Sequence, residues 1–190
     1  MPPKVKFTKE SIIKTSLELV RKNGTDALTA RNISSALGSS PQPLFSYFKD
    51  MIDLKNEVFK AAEQLYSSYI SEGLKENIPF KGAGIAYIRF ADEEPQLFNM
   101  LFMNENGKGV VKHFLPKNDV NYEDVIAALE RSWCVDREKA EMVYNHMAVY
   151  THGLAVLFAQ KTEIFTIKEA ELMMTDIFRK LMEGEKCNLL

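Results

Sequence analysis

The groups of this 190-residue chain best suited to covalent or metal chemistry are Cys134, Cys187, three histidines and the neighbouring carboxylates Glu93 and Glu94. Their spacing supports neither kind. The cysteines stand far apart, with no CxxC pair and no histidine cluster beside them, so neither a zinc site nor a disulfide framework is expected. No GxSxG, HExxH, phosphate loop or glycine-rich dinucleotide turn occurs along the chain. The carboxylates and histidines fall among helical segments, where solvated faces and core hydrogen bonds account for them. A protein that binds rather than catalyses is expected, with no cofactor and no metal. More informative are the aromatic and sulfur side chains of the middle of the chain: Tyr66, Tyr69, Phe90 and Phe98, then Met100, Phe102, Met103 and Trp133. Residue by residue these are ordinary core; as a set they are also the material of an adaptable apolar pocket.

A chain of this length buries a core without cross-links. The N-terminus, MPPKVKFTKE, is basic with no apolar run behind it, and no stretch approaches the ~18 apolar residues of a membrane span. A reduced, cytoplasmic protein with no membrane partner is expected. The formal charge of −2 conceals an asymmetry. Residues 1 to 60 carry ten Lys or Arg against six Asp or Glu, net +4, and the remainder is net −6. The N-terminal third is the part that phosphates attract, although a charge of this size is modest.

The periodicity is helical throughout, and about nine helices are expected. Thr8 is placed to cap the first, which carries Ile13, Leu17 and Val20 and stops at Asn23-Gly24. Thr29 caps a short second helix, with Ile33, Ala36 and Leu37 inward and Gly38 as its stop. A third helix can start at Pro41, with Leu44, Phe45 and Phe48 inward. Asp50 caps a long fourth helix reaching about Glu72. Further helices are expected near 80–91, 95–103, 121–132, 136–160 and 166–183, with caps at Asp136 and Thr166 and a loop over Asn104 to Asp119. Three short helices with the tight turn Leu37-Gly38-Ser39-Ser40 make a helix-turn-helix, whose third helix enters a DNA major groove.

Thr29-Ala30-Arg31-Asn32-Ile33, then Ala36-Leu37-Gly38, then Leu44-Phe45-Ser46-Tyr47-Phe48-Lys49-Asp50 and Leu54 resemble, at matching offsets, the N-terminal signature of TetR transcriptional regulators. The resemblance implies a helix-turn-helix DNA-binding domain over 1–50 and a helical ligand-binding and dimerisation domain over 51–190. It implies a double-stranded operator as partner and a small-molecule effector. Gln42 and Ser46 become the candidates for base edges, Gln being able to bond adenine in bidentate fashion. Ser40, Tyr47, Thr29 and Arg31 become candidates for phosphate, as does Lys49. Two positions depart from the family pattern. Phe45 replaces a usual tyrosine, and Met51 a common lysine at the start of the fourth helix; both changes weaken affinity rather than relocate specificity. Lys55 and the tail Lys4, Lys6 and Lys9 are candidates to compensate. A homodimeric carrier or protein-binding module without specific DNA affinity is the alternative that these departures leave open.

Residues 140–158 and 167–182 carry apolar faces too wide for a small bundle alone. Tyr150, Leu154 and Phe158 on one, with Met174, Ile177, Phe178 and Leu181 on the other, are expected to form a four-helix interface of a homodimer. Such a dimer sets two reading heads about 34 Å apart. Tyr150-Thr151-His152-Gly153-Leu154-Ala155 resembles the tryptophan-histidine-glycine motif of one branch of these regulators, in which His152 reads as structural. The family resemblance turns the aromatic set into an expected ligand pocket, formed by Tyr66, Tyr69, Phe90, Phe98, Phe102, Met103 and Trp133, with His146 and His113 as polar handles.

Overall fold

The computed structural model describes residues 7–103, 117 and 119–183, and among these the chain is all-helical, with eight α-helices and no strand. In chain order they are α1 (Lys9–Asn23), α2 (Ala30–Ala36), α3 (Met51–Gly73), α4 (Pro79–Glu93), α5 (Pro95–Phe102), α6 (Tyr122–Trp133), α7 (Arg137–Ala159) and α8 (Ile167–Leu181). Most of Asn104 to Asp119, the expected loop, lies outside the described residues.

Local chemistry sets the boundaries. Thr8 and Ser11 form a reciprocal capping box at α1, Asp50 accepts the Ile52 and Asp53 amides at α3, and Thr166 with Glu169 boxes α8. Pro79 and Pro95 open α4 and α5, where a missing N–H costs nothing. Gly38, after α2, has φ +64°, a value that favours glycine.

The expected third helix does not form. Leu44–Ser46 is a single 3-10 turn between α2 and α3. Ser40 and Gln42 each precede a proline, which disfavours the α conformation at both, and neither Pro41 nor Pro43 has an N–H to donate. Most of the bonds that remain are tight ones, Leu44 to the Pro41 carbonyl, Ser46 to the Pro43 carbonyl and Tyr47 to the Leu44 carbonyl, and a single wider bond joins Phe48 to Leu44. The tight turn also corrects the expectation that Phe45 faces inward. Leu44 and Phe48 are buried, whereas Phe45 is 49% exposed.

The chain divides into two compact units, residues up to Gln64 and residues from Leu65. The first turns of α3 thus pack with the N-terminal unit. That core joins Ile12 and Val20 of α1, Ile33 of α2, Leu44 and Phe48 of the turn, and Leu54 and Val58 of α3. Lys9 of α1 pairs with Glu57 of α3 at 3.1 Å and sits over the Phe48 ring.

In the second unit α4 is central, touching α5, α6, α7 and α8. Phe90, Leu97, Phe98, Ile126, Leu129 and Val143 are its most deeply buried large side chains. Gly73 at the end of α3 meets Gly82 of α4 backbone to backbone, so close that a Cβ on either would overlap the other's carbonyl group. No helix among the described residues is long and apolar enough to cross a membrane.

Candidate functional site

In the N-terminal unit the capped start of α2 and the 3-10 turn leave Thr29, Arg31, Ser40, Gln42, Ser46, Tyr47 and Lys49 all exposed. Thr29 uses its hydroxyl oxygen to accept the Asn32 amide, so its own O–H stays available for a further acceptor. Tyr47 donates its hydroxyl to the Phe7 carbonyl at 2.5 Å. The Lys49 amide donates to Asp53, and its side chain is exposed. Lys9, a candidate phosphate contact, is committed to Glu57 and Phe48. Lys4 and Lys6 lie outside the described residues. The run from Thr29 to Lys49 thus exposes hydroxyl, amide, guanidinium and ammonium groups, together with the ring of Phe45.

The second unit holds a partly open cavity of about 320 Å³. Of the aromatic residues expected to line a pocket, Tyr66, Phe102 and Trp133 do so. Phe90 and Phe98 are fully buried and pack behind it: Phe90 against Tyr66 and Tyr69, Phe98 against Tyr87 and Phe102. Tyr69 instead donates to Glu93 at 2.7 Å on the outside of α4, and partial burial with that carboxylate pushes its pKa up to about 12. Met103 is half-buried and lines no part of the cavity, His146 is exposed, and His113 lies outside the described residues.

Several lining residues carry no warning in the local sequence. Phe80, Met147 and Met174 supply apolar wall; Tyr87, Tyr144, Asp119 and Asn121 supply polar atoms. Tyr66 donates to Asp119 Oδ2 at 2.5 Å, and the Asn121 amide donates to Oδ1 of the same carboxylate at 2.7 Å. Burial, then the Asp119 charge, holds the Tyr66 and Tyr87 phenols well above their ordinary pKa, and Tyr144 is raised for the same two reasons. All three are neutral donors at any physiological pH. The indole N–H of Trp133, in the wall, is buried with no acceptor among the described residues.

His152 shares a hydrogen bond with Tyr87 at 2.9 Å and stacks on Phe98; burial lowers its pKa. It stands behind the wall and orients a lining tyrosine.

Of the residues expected at a subunit interface, Leu154 and Met174 are buried within the single chain, and Met174 and Phe178 line the cavity. Part of the apolar width of α7 and α8 is therefore consumed internally. Tyr150, Phe158, Ile177 and Leu181 are half-buried. Val149 of α7 and Leu172 of α8, which the periodicity did not single out, are 63% and 59% exposed. Among the described residues no three His, Cys, Asp or Glu side chains are grouped to hold a metal ion.

No family profile and no curated protein matches the sequence. Solved structures do match the fold. A protein from Rhodococcus sp. described as a TetR-family transcriptional regulator aligns with a TM-score of 0.67 at 16% identity, covering 92% of this chain and 98% of its own. A TetR-like transcriptional regulator from Rhodococcus sp. RHA1 aligns with a TM-score of 0.69 at 12% identity, covering 97% and 99%. The chain therefore has the fold of these proteins over nearly its whole length, and at such identities the likeness is one of fold.

Proposed function

We propose that the chain is a non-enzymatic, TetR-type transcriptional regulator, a repressor that leaves its operator when a small hydrophobic or amphipathic molecule enters the second unit. The observation that carries this reading is the exposure of Thr29, Arg31, Ser40, Gln42, Ser46, Tyr47 and Lys49 along the short run from the cap of α2 to just past the 3-10 turn. The shared fold with TetR-type regulators supports it.

In this mechanism Arg31, Lys49, Ser40, Tyr47 and Thr29 fix the protein on phosphates, and Gln42 and Ser46 read base edges. Two copies pair through α7 and α8 and cover a palindromic operator. Val149 and Leu172 are apolar and unburied, and Gly153 has open space where a Cβ would stand, so a second backbone can approach it. A ligand in the cavity packs on Tyr66 and Ile70, which lie on the same helix that Asp50 caps next to the reading turn. To switch occupancy nearly completely it must favour the released shape by about 5 kcal/mol.

Fluorescence anisotropy tests the reading, with the full chain titrated onto DNA from immediately upstream of its own gene and onto a shuffled fragment across a salt series. Preference for the native fragment that survives physiological salt is expected. Equal binding to both, erased by salt, would favour a carrier that lacks specific DNA affinity.

A further inference from the structure

The two ends of the cavity differ in how their charges are satisfied, and the difference selects a ligand. At the end lined by Lys81 and Arg179 each cation already has an acid beside it: Lys81 pairs with Glu171 at 2.7 Å, and Arg179 lies 3.8 Å from Asp176. The Arg179 pair is largely exposed and the Lys81 pair half-buried, and a cation already matched by an acid attracts an anionic ligand weakly. At the end lined by Asp119 the carboxylate accepts hydrogen bonds from Tyr66 and Asn121, yet among the described residues no cation pairs with it. Hydrogen bonds from neutral donors orient a carboxylate without supplying an opposite charge.

Around that end stand the rings of Tyr66, Tyr87 and Phe102, in mutual contact with centroids 5.1 to 5.9 Å apart, and the phenol of Tyr144. Ring faces are electron-rich and attract a cation more strongly once water is excluded. An uncompensated carboxylate beside such rings recognises a positive organic group; a carboxylate or phosphate placed there would be repelled. The remaining wall, with Phe80, Met147 and Met174, takes an apolar body.

We propose that the cavity binds an amphiphilic organic cation, an amine or quaternary ammonium compound, with its charge seated between Asp119 and the tyrosine rings and its apolar part along Phe80, Met147 and Met174. This assignment rests on the sensing role proposed above for the same cavity. It names the chemistry that the sensing role alone leaves open.

Calorimetric titration of the full chain with 4-phenylbutyltrimethylammonium, 4-phenylbutanol and 4-phenylbutanoate tests it, since the three share a tail and differ in head group. The ammonium compound should bind at least about tenfold more tightly than the alcohol, with the carboxylate weakest. In Asp119→Asn, which keeps an acceptor for Tyr66, that preference should vanish while alcohol binding is retained; in Lys81→Met the order should be unchanged. Equal binding of ammonium and alcohol by the native chain, tightest binding of the carboxylate, no binding of any of the three, or a preference that survives Asp119→Asn would each overturn the assignment. The native head-group series stands even if the Asn variant does not fold. Addition of the ammonium compound to the operator complex separates the two readings: binding with the expected preference but without DNA release keeps the ligand assignment and overturns the sensor.

Discussion

In the N-terminal unit the side chains proposed to do chemistry come from one short run, Thr29 to Lys49, and all stand in solvent. In the second unit those around the cavity come from Tyr66 to Arg179 and most are buried or half-buried. A surface that meets a large, regular polyanion can be written locally, as caps and a tight turn that hold exposed groups. A cavity is the space left where distant helices fail to close, and it belongs to no segment. The first unit should therefore lose function without losing its fold, and the second should lose both together.

The largest expected effect breaks the second unit. Gly82→Ala places a methyl group against the Gly73 carbonyl, where no side chain can rotate away, and should cost about 3 kcal/mol or more in urea unfolding. A loss below about 1 kcal/mol would mean that α3 and α4 separate easily and that the contrast between the units is weaker than drawn. In the first unit, Gln42→Ala should cost about 1–3 kcal/mol of operator affinity and relax preference at one base position. Arg31→Ala should weaken all sequences alike and lower the salt slope by about one. Both variants should keep the native unfolding midpoint, as exposed positions do, and a clear shift in it would show that these side chains hold the fold.

Those variants also mark what could be read from the sequence. The helix ends were legible because Thr8, Asp50, Asp136 and Thr166 act within a few residues of themselves. The third helix is not legible in the same way, because its apolar spacing, Leu44 to Phe48, is satisfied equally by a 3-10 turn, and the two prolines decide the matter. In the cavity, Tyr66, Phe102 and Trp133 were visible as large aromatics. Asp119 is in sequence an ordinary loop carboxylate, and only the fold brings Tyr66, many residues away, to donate to it. Met174 and Phe178 line the cavity although their spacing points to an interface, because amphipathic width shows that a face is covered, and not by what.

Smaller effects sharpen the comparison. Thr166→Ala, which removes the capping box of α8, should lower stability by about 1 kcal/mol and leave DNA affinity per folded molecule unchanged. His152 should give the second unit an acid sensitivity. Burial lowers its pKa in the native state, so below its ordinary value near 6.5 the unfolded chain binds the extra proton first. Stability from this group is complete above pH 6.5 and declines as pH falls towards the native value. His152→Gln should flatten that slope in urea midpoints taken between pH 7 and 5, and an unchanged slope would assign it to carboxylates.

The hydrogen bond from Tyr47 to the Phe7 carbonyl has a practical consequence. A phenol owns one proton, so Tyr47 can grip a phosphate only by letting go of the backbone at Phe7. Whatever is fused ahead of that residue, a purification tag included, pulls on the released end and tilts the exchange. Operator affinities taken on tagged and untagged protein should differ for this reason, and Tyr47→Phe should make them agree.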